Sequence, residues 1–292
     1  MEAKSLISSQ NQLGESPLWS VEEQVLYWVD IYGKRIERYN PQTEERQTFH
    51  LPCQVGTVAF REKGGFILAT DQGFATWDGK SEHVEWLLNP EKGKPFYRFN
   101  DGKVDPGGRF WAGTMYDGEQ LDPRPTGSLY RLDPDMSIHT KATGVLISNG
   151  IGWSPDHRVM YYTDSVLKTI YAYDYDPASG EVANRRLFVH TPDEPGDPDG
   201  LTVDSQGFIW SARWNGWKVT RYDPAGRLER EIKVPTACPS SVMFGGSNLK
   251  DLYITSAWKE LSPEERNVQP LAGNLFRISV EVQGLPEFKF AG

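Results

Sequence analysis

Four oxygen-bearing side chains sit at matched places along the chain: Glu15 in LGESPLW, Asn100 in FNDGKVD, Asn149 in SNGIGW and Asp199 in PDGLTVD. Each lies four residues before an apolar residue, Trp19, Val104, Trp153 or Val203, in a similar local pattern. Taken singly, Asn-Asp-Gly, Asn-Gly and Asp-Gly read as turn sequences, because Asn, Asp and Gly tolerate positive φ. Glu15 has no such reason to be there, and the shared register of all four favours convergence on one point over turn chemistry. Carboxylates gathered away from water repel one another unless something positive lies between them. The implied chemistry is oxygen-only coordination of one divalent cation. Such donors select hard or borderline ions: Ca2+, Mg2+ or Mn2+, with Fe2+ and Zn2+ also within range.

A repeat supplies the elements that must position these groups. Six segments, SPLWSVEEQVLYWVD, GTVAFREKGGFILATD, GKVDPGGRFWAGT, GIGWSPDHRVMYYTD, GLTVDSQGFIWSAR and SSVMFGGSNLKDLYITS, each read as an apolar run, a polar turn and a second β-rich run. That is a hairpin signature. Taking Trp19, Phe60, Val104, Trp153, Val203 and Phe244 as equivalent, the units are spaced 41, 44, 49, 50 and 41 residues apart. A third run follows each hairpin (RIERYNP, FATWDG, GSLYRLDP, TIYAYDYDP, KVTRYDP, NLFRIS), and most units have room for a fourth (QTFHLP, EWLLNP, HTKATG, RRLFVH, EREIKVP). Four strands in each of six units predict an all-β fold, a single six-bladed β-propeller over residues 1–292. A β-sandwich, or two stacked β domains, would not require six evenly spaced copies. Residues 4–9 are expected to complete the last blade and close the ring, which removes free sheet edges.

The first strand of each propeller blade lines the central channel, so its entry residues converge on the axis. Counting four residues back from the equivalent positions gives Glu15, Gly56, Asn100, Asn149, Asp199 and Ser240. Helical periodicity is nearly absent, the clearest candidate being LSPEERN after Leu261. Insertions at residues 89–96, 116–126 and 259–273 are the loops expected to shape one face, where function tends to sit on a rigid scaffold.

Composition narrows the partners. With 31 Lys plus Arg against 40 Asp plus Glu, a net charge of −9 and no basic run, the chain is a poor match for nucleic acid or an anionic membrane. No apolar stretch reaches the roughly 18 residues of a spanning helix and MEAKSLISSQNQL lacks a signal-peptide core, so a cytoplasmic protein is expected. Cys53 and Cys238 are too few for a disulfide framework or a Cys-type zinc site and read as reduced packing residues. No GxSxG elbow, HExxH, P-loop or GxGxxG occurs, and the five histidines (His50, His83, His139, His157, His190) are scattered. Among the ten tryptophans, Trp111 and Trp210 read as blade-packing residues, while Trp214 and Trp217 in ARWNGWKV could flank a sugar ring.

Through LGESPLW, RFNDGKVDPGGRFWAGTM, GSLYRLDP, SNGIGWSPD, YYTDS, DYDPASGE, PDGLTVD and MFGG, the chain resembles the SMP-30/gluconolactonase family, which includes regucalcin and bacterial sugar lactonases. The resemblance implies a six-bladed propeller with one divalent cation held by a Glu, an Asn and an Asp, matching Glu15, Asn149 and Asp199. It implies that Arg98 and Asn100 contact a sugar substrate, with Asn100 also a candidate metal ligand. In regucalcin-like sequences a Glu three residues after Gly-Thr-Met helps to hold substrate. Here that position is Gly118, so Glu119 is the shifted candidate.

The implied reaction is hydrolysis of an aldono-1,4- or 1,5-lactone, such as a glucono-, xylono-, galactono- or arabinonolactone, by a calcium-, zinc-, manganese-, magnesium- or iron-dependent enzyme of carbohydrate metabolism. A cation with three protein ligands keeps open positions for a carbonyl oxygen and a water. Asp199 is the expected general base, with Asp101 as the fallback. Arg98 would donate to sugar hydroxyls or to the carboxylate being formed. A phosphotriesterase-like esterase and a non-catalytic calcium-binding propeller are the alternatives. The protein is expected to be a monomer or weak homo-oligomer.

Overall fold

A computed structural model describes all 292 residues, Met1 to Gly292. Twenty-four strands form six four-stranded antiparallel sheets, the predicted six-bladed propeller. The inner strands of blades 1 to 6 are Gly14–Ser20, Val55–Phe60, Tyr97–Val104, Ser148–Trp153, Asp197–Val203 and Pro239–Gly245, and each packs beside the next around the axis. Lys4–Ile7 pairs with Leu275–Ser279 as the outermost strand of blade 6, so the N-terminal strand closes the ring as expected. The fourth strand of blade 2 is shorter than EWLLNP and shifted, covering Val84–Trp86. The one helix, Pro263–Val268, is entered through a Ser262/Glu265 capping box. No helix is long and apolar enough to cross a membrane.

The apolar residues divide into six clusters, one for each junction between neighbouring blades. Trp111, Ile151, Trp153 and Tyr162 join blades 3 and 4, while Trp210, Phe244, Leu252 and Phe276 join blades 5 and 6. Burial of flat faces between sheets therefore supplies the cohesion, and the strands' aromatic and β-branched content reflects it. Cys53 and Cys238 are buried free thiols in the largest cluster, as their isolation in the sequence implied. Residues 280–292 cross the far end of the channel. Gly284 N donates there to Leu249 O, Phe290 N to Phe60 O, and Ala291 N to Gly108 O.

Two turns on that far side repeat one device. Asp105 Oδ2 accepts from Trp111 Nε1 at 2.9 Å, and Asp204 Oδ2 accepts from Trp210 Nε1 at 2.9 Å. Asp204 also receives Arg221 Nη2 at 2.6 Å, with both side chains buried. Replacing Asp204 with Ala would leave the Trp210 indole N–H without its acceptor and the buried Arg221 guanidinium with only Glu229 Oε2 at 3.1 Å and Gln206 Oε1 at 3.0 Å. Asp204→Ala is expected to lower unfolding stability by about 3–5 kcal/mol, measured by urea or thermal denaturation; a loss within ~0.5 kcal/mol, the range of an inconsequential surface change, would contradict this account.

Candidate metal and substrate site

Every inner strand breaks register with its neighbour at the same level: between Glu15 and Leu18, Val55 and Thr57, Phe99 and Gly102, Asn149 and Ile151, Pro198 and Leu201, and Pro239 and Val242. A β-bulge inserts a residue, kinks the strand and re-aims its side chains. The ring of six bulges encircles the channel mouth. Ser16, directly after Glu15, has φ 47, a left-handed value uncommon outside glycine. Its hydroxyl lies 2.8 Å from Thr57 Oγ1 and accepts from Val58 N at 3.2 Å, which holds the strained turn in place.

The same packing explains why two of the six matched positions carry neither a carboxyl nor a carboxamide. A Cβ on Gly56 would lie 2.4 Å from the carbonyl oxygens of Phe99 and Asn100, so blade 2 has no room for a side chain there. Ser240 Oγ donates to Gly14 O and pairs with Thr255 Oγ1, which commits it to the scaffold.

The linkers leading into the inner strands are clamped by buried groups that motif reading overlooked. Asp30 accepts from Gln12 N at 3.1 Å and Leu13 N at 3.0 Å, just before Glu15. Asp164 accepts from Leu146 N at 2.9 Å and Ile147 N at 3.2 Å, just before Asn149. In blade 5 the fully buried Arg213 donates to Thr191 Oγ1 at 2.8 Å and Gly196 O at 2.9 Å, just before Asp199. The Asp of YYTDS was the available sequence signal.

Glu15, Asn149 and Asp199 are each 4% exposed on the floor of one cleft of about 430 Å³. Asn149 Nδ2 donates to Ser165 Oγ at 3.0 Å, which leaves its Oδ1 facing inward without a donor; Asp199 Oδ1 is likewise buried and unpartnered. Each such oxygen costs about 1–3 kcal/mol when nothing satisfies it. Burial, followed by the charge of Asp101, holds the Glu15 carboxyl well above its ordinary range. Asp199 is raised the same way by burial, then by Glu15 and Asp101. No group of three or more His, Cys, Asp or Glu comes together in the molecule, so the donor set depends on the Asn149 carboxamide. Two buried carboxyls and two orphaned inward-facing oxygens fit a hard divalent cation.

Arg98 and Asn100 line the same cleft and are tied to each other. Arg98 Nη1 donates to Asn100 Oδ1 at 2.5 Å and Nε donates to Asp117 Oδ2 at 2.9 Å, while Asn100 Nδ2 donates to Ser148 O at 2.8 Å. Burial opposes the Arg98 charge, but Asp117 and Tyr32 together outweigh it and keep the guanidinium protonated. Asp117 was not among the expected residues. It also accepts from Tyr32 Oη at 2.7 Å, and Lys259 Nζ lies 3.1 Å from the centre of the Tyr32 ring. The insertions at residues 116–126 and 259–273 thus meet over the cleft.

Two expected residues are not brought to the cleft. Glu119 is exposed on its loop, while Asp117, Gly118 and Gln120 line the wall. Asp101, one residue beyond Asn100 in the bulge, lines a small separate cavity deeper in the channel with Ser16, Lys103 and Glu287. Burial there pushes its carboxyl up to about 6. Trp214 lines the cleft and donates to Glu260 Oε2 at 3.1 Å, whereas Trp217 and all five histidines lie elsewhere.

The raised carboxyls give the protein without metal a distinctive pH response. A carboxyl whose pKa is higher folded than unfolded binds its proton more tightly when folded. Its stabilisation is present below the ordinary values of 4.5 for Glu15 and 3.8 for Asp199, and is lost as pH rises through the folded values. Chelator-treated protein is expected to lose melting temperature from pH 4.5 toward pH 8, with a shallower slope in the Glu15→Gln/Asp199→Asn double variant. Added divalent cation should raise the melting temperature more at pH 8 than at pH 5. Identical slopes in the two proteins would count against the assignment.

The profile of the SMP-30/gluconolactonase/LRE-like region matches residues 13–258. Regucalcin of Xenopus laevis is 37% identical over 298 residues, spanning 100% of this chain and 99% of that protein. A 6-deoxy-6-sulfogluconolactonase of Pseudomonas putida is 40% identical over 290 residues, spanning 99% and 98%. Among solved structures, a luciferin-regenerating enzyme superposes with a TM-score of 0.92 at 31% identity, covering 99% of each chain. The predicted propeller, its site motifs and these full-length similarities agree, and the chain belongs to the SMP-30/gluconolactonase/LRE-like family.

Proposed function

We propose that the protein hydrolyses a sugar lactone to the aldonic acid with one divalent cation bound by Glu15, Asn149 and Asp199. The observation that carries this reading is the pair of buried, unpartnered oxygens, Asn149 Oδ1 and Asp199 Oδ1, beside the buried Glu15 carboxyl on the floor of a cleft. The similarity to a sugar lactonase along nearly the whole chain supports it. When bound, such a cation supplies Lewis-acid polarisation of the ester carbonyl and lowers the pKa of a coordinated water.

The protein's own groups do the rest. Asp199, whose burial raises its proton affinity, takes the proton of the attacking water and returns it to the ring oxygen as the ester bond breaks. Glu15, whose burial otherwise favours its protonated form, would be one of the groups that hold the cation and would be ionised by it. Arg98, fixed by Asp117 and Asn100, donates to substrate hydroxyls and fixes the carbonyl carbon over the floor. Asn100 is a substrate contact whose Oδ1 already accepts from Arg98. That oxygen keeps a second lone pair, so Asn100 would be a further candidate to hold the ion. Asp101, from its deeper cavity, biases the charge of the floor without touching substrate.

Glu15→Gln, Asn149→Ala and Asp199→Ala are each expected to lower divalent-ion affinity and lactone hydrolysis together. Hydrolysis should fall at least about 100-fold, the size of a lost general base or electrophile. Arg98→Ala should raise KM or lower kcat/KM while ion affinity stays within about twofold; parallel loss of the ion would refute that division of roles. Calorimetric ion titration and a matrix of aldonolactones against Ca2+, Mn2+, Mg2+, Zn2+ and Fe2+ measure both. A protein that binds the ion but releases acid from no lactone, or that turns over a phosphotriester faster than any lactone, would overturn the reading.

A further inference from the structure

One hydroxyl on the floor holds a hydrogen that no group of the protein accepts. Ser165, the serine of YYTDS, is 6% exposed and lines the cleft in contact with Asn149. Its backbone is pinned on both sides, since Ser165 N donates to Ile147 O at 3.2 Å and Lys168 N donates to Ser165 O at 2.9 Å. The Oγ accepts from Asn149 Nδ2 at 3.0 Å, its one side-chain hydrogen bond. A hydroxyl has two lone pairs and one hydrogen, so accepting from the carboxamide leaves the hydrogen still to be placed. The acceptors of the same region do not take it: Asp164 is bound to Leu146 N and Ile147 N, while Asn149 Oδ1 and Asp199 Oδ1 receive no hydrogen bond at all. What remains is the space of the cleft.

A serine in this place could attack the substrate or donate to it, and its partner separates the two roles. A nucleophilic serine needs a base to take its proton. Ser165 Oγ meets an amide N–H, a donor that cannot serve, and no histidine lines the cleft. A donating serine needs a contact that fixes its lone pair and an acceptor for its hydrogen, and Asn149 supplies the first. An ester on the floor supplies the second. Its carbonyl oxygen is the better acceptor of the two ester oxygens and gains negative charge as water adds, so a donor held there is strengthened in the transition state. We infer that Ser165 is a catalytic residue whose hydroxyl donates to the ester carbonyl oxygen, held on target by the Asn149 carboxamide. Oγ forms no covalent bond and keeps its proton throughout. This inference rests on the lactonase reading for the identity of the acceptor.

Ser165→Ala is compared with the wild-type protein at a saturating concentration of the divalent ion that binds most tightly, because the freed Asn149 carboxamide is expected to weaken ion binding as well. Two ring probes that are not hydrolysed are titrated calorimetrically: glucono-1,5-lactam, which carries the carbonyl, and 1,5-anhydroglucitol, which lacks it. The substitution should weaken the lactam several-fold and leave 1,5-anhydroglucitol within about twofold. For the lactone turned over fastest, kcat should fall about tenfold or more with KM little changed. Full recovery of kcat once the ion is saturating, or an equal loss of affinity for both probes, would reduce Ser165 to a support for Asn149 and overturn the proposal, even with the wild-type protein an active lactonase. Selective loss of the lactam in a protein that hydrolyses no lactone would uphold the carbonyl contact and overturn the lactonase reading instead.

Discussion

Placing two buried carboxyls and a buried carboxamide oxygen together at the mouth of the channel is the constraint around which this propeller is arranged. Left alone, Glu15 and Asp199 oppose each other's ionisation, and burial opposes both. The rest of the fold makes that arrangement tolerable without relieving it. Six interblade clusters supply the cohesion, and the channel's far end is crossed by residues 280–292. The unfavourable electrostatics persist in the folded protein and are available to be cancelled by a cation.

Precision at the floor comes from a layer that touches neither ion nor substrate. Asp30, Asp164 and Arg213 each bind the backbone of the linker just upstream of a floor residue, so the strands enter the channel at fixed height. The bulges then turn Glu15, Asn149 and Asp199 toward the axis. Neither device would suffice alone. A bulge at a variable height would scatter the oxygens along the channel, and a fixed strand without the bulge would keep strict alternation between its two faces.

How far the sequence could be read follows from which of these devices leave a local signature. The repeat was legible because each inner strand has to present an apolar face to the next blade, and this fixed the spacing of Trp19, Val104, Trp153 and Val203 and thereby the register of the oxygen donors. Asp101 was harder to place, since adjacent residues in a bulge can face different levels of the channel and one residue's difference moves a carboxylate from the cleft to the cavity beneath it. Glu119 was judged by its distance along the chain, but its irregular loop exposes it while directing Asp117 inward. Arg124 and Lys259 lie in two of the insertions expected to shape that face, but nothing singled out the residues themselves, and Tyr32 had no signal at all. They come together only because loops from different blades meet, a long-range relation without periodicity.

Those loops also separate two tasks that one cleft must perform. The floor belongs to inner strands clamped from below and behind, where a shift of an ångström would alter the donor set. The wall is a chain of contacts running from Lys259 through the Tyr32 ring to Asp117 and Arg98, linking the last blade to the third across the mouth. A substitution in the 116–126 loop other than at Asp117 can therefore reshape what is held near the rim while the floor, which none of the loop's side chains contacts directly, keeps its geometry. Arg98 is where the two meet, since it is bound to the loop through Asp117 and to the inner strand through Asn100. A family that keeps its floor and varies this loop can change substrates without rebuilding its chemistry, because the scaffold fixes the reacting end and the loops select the other.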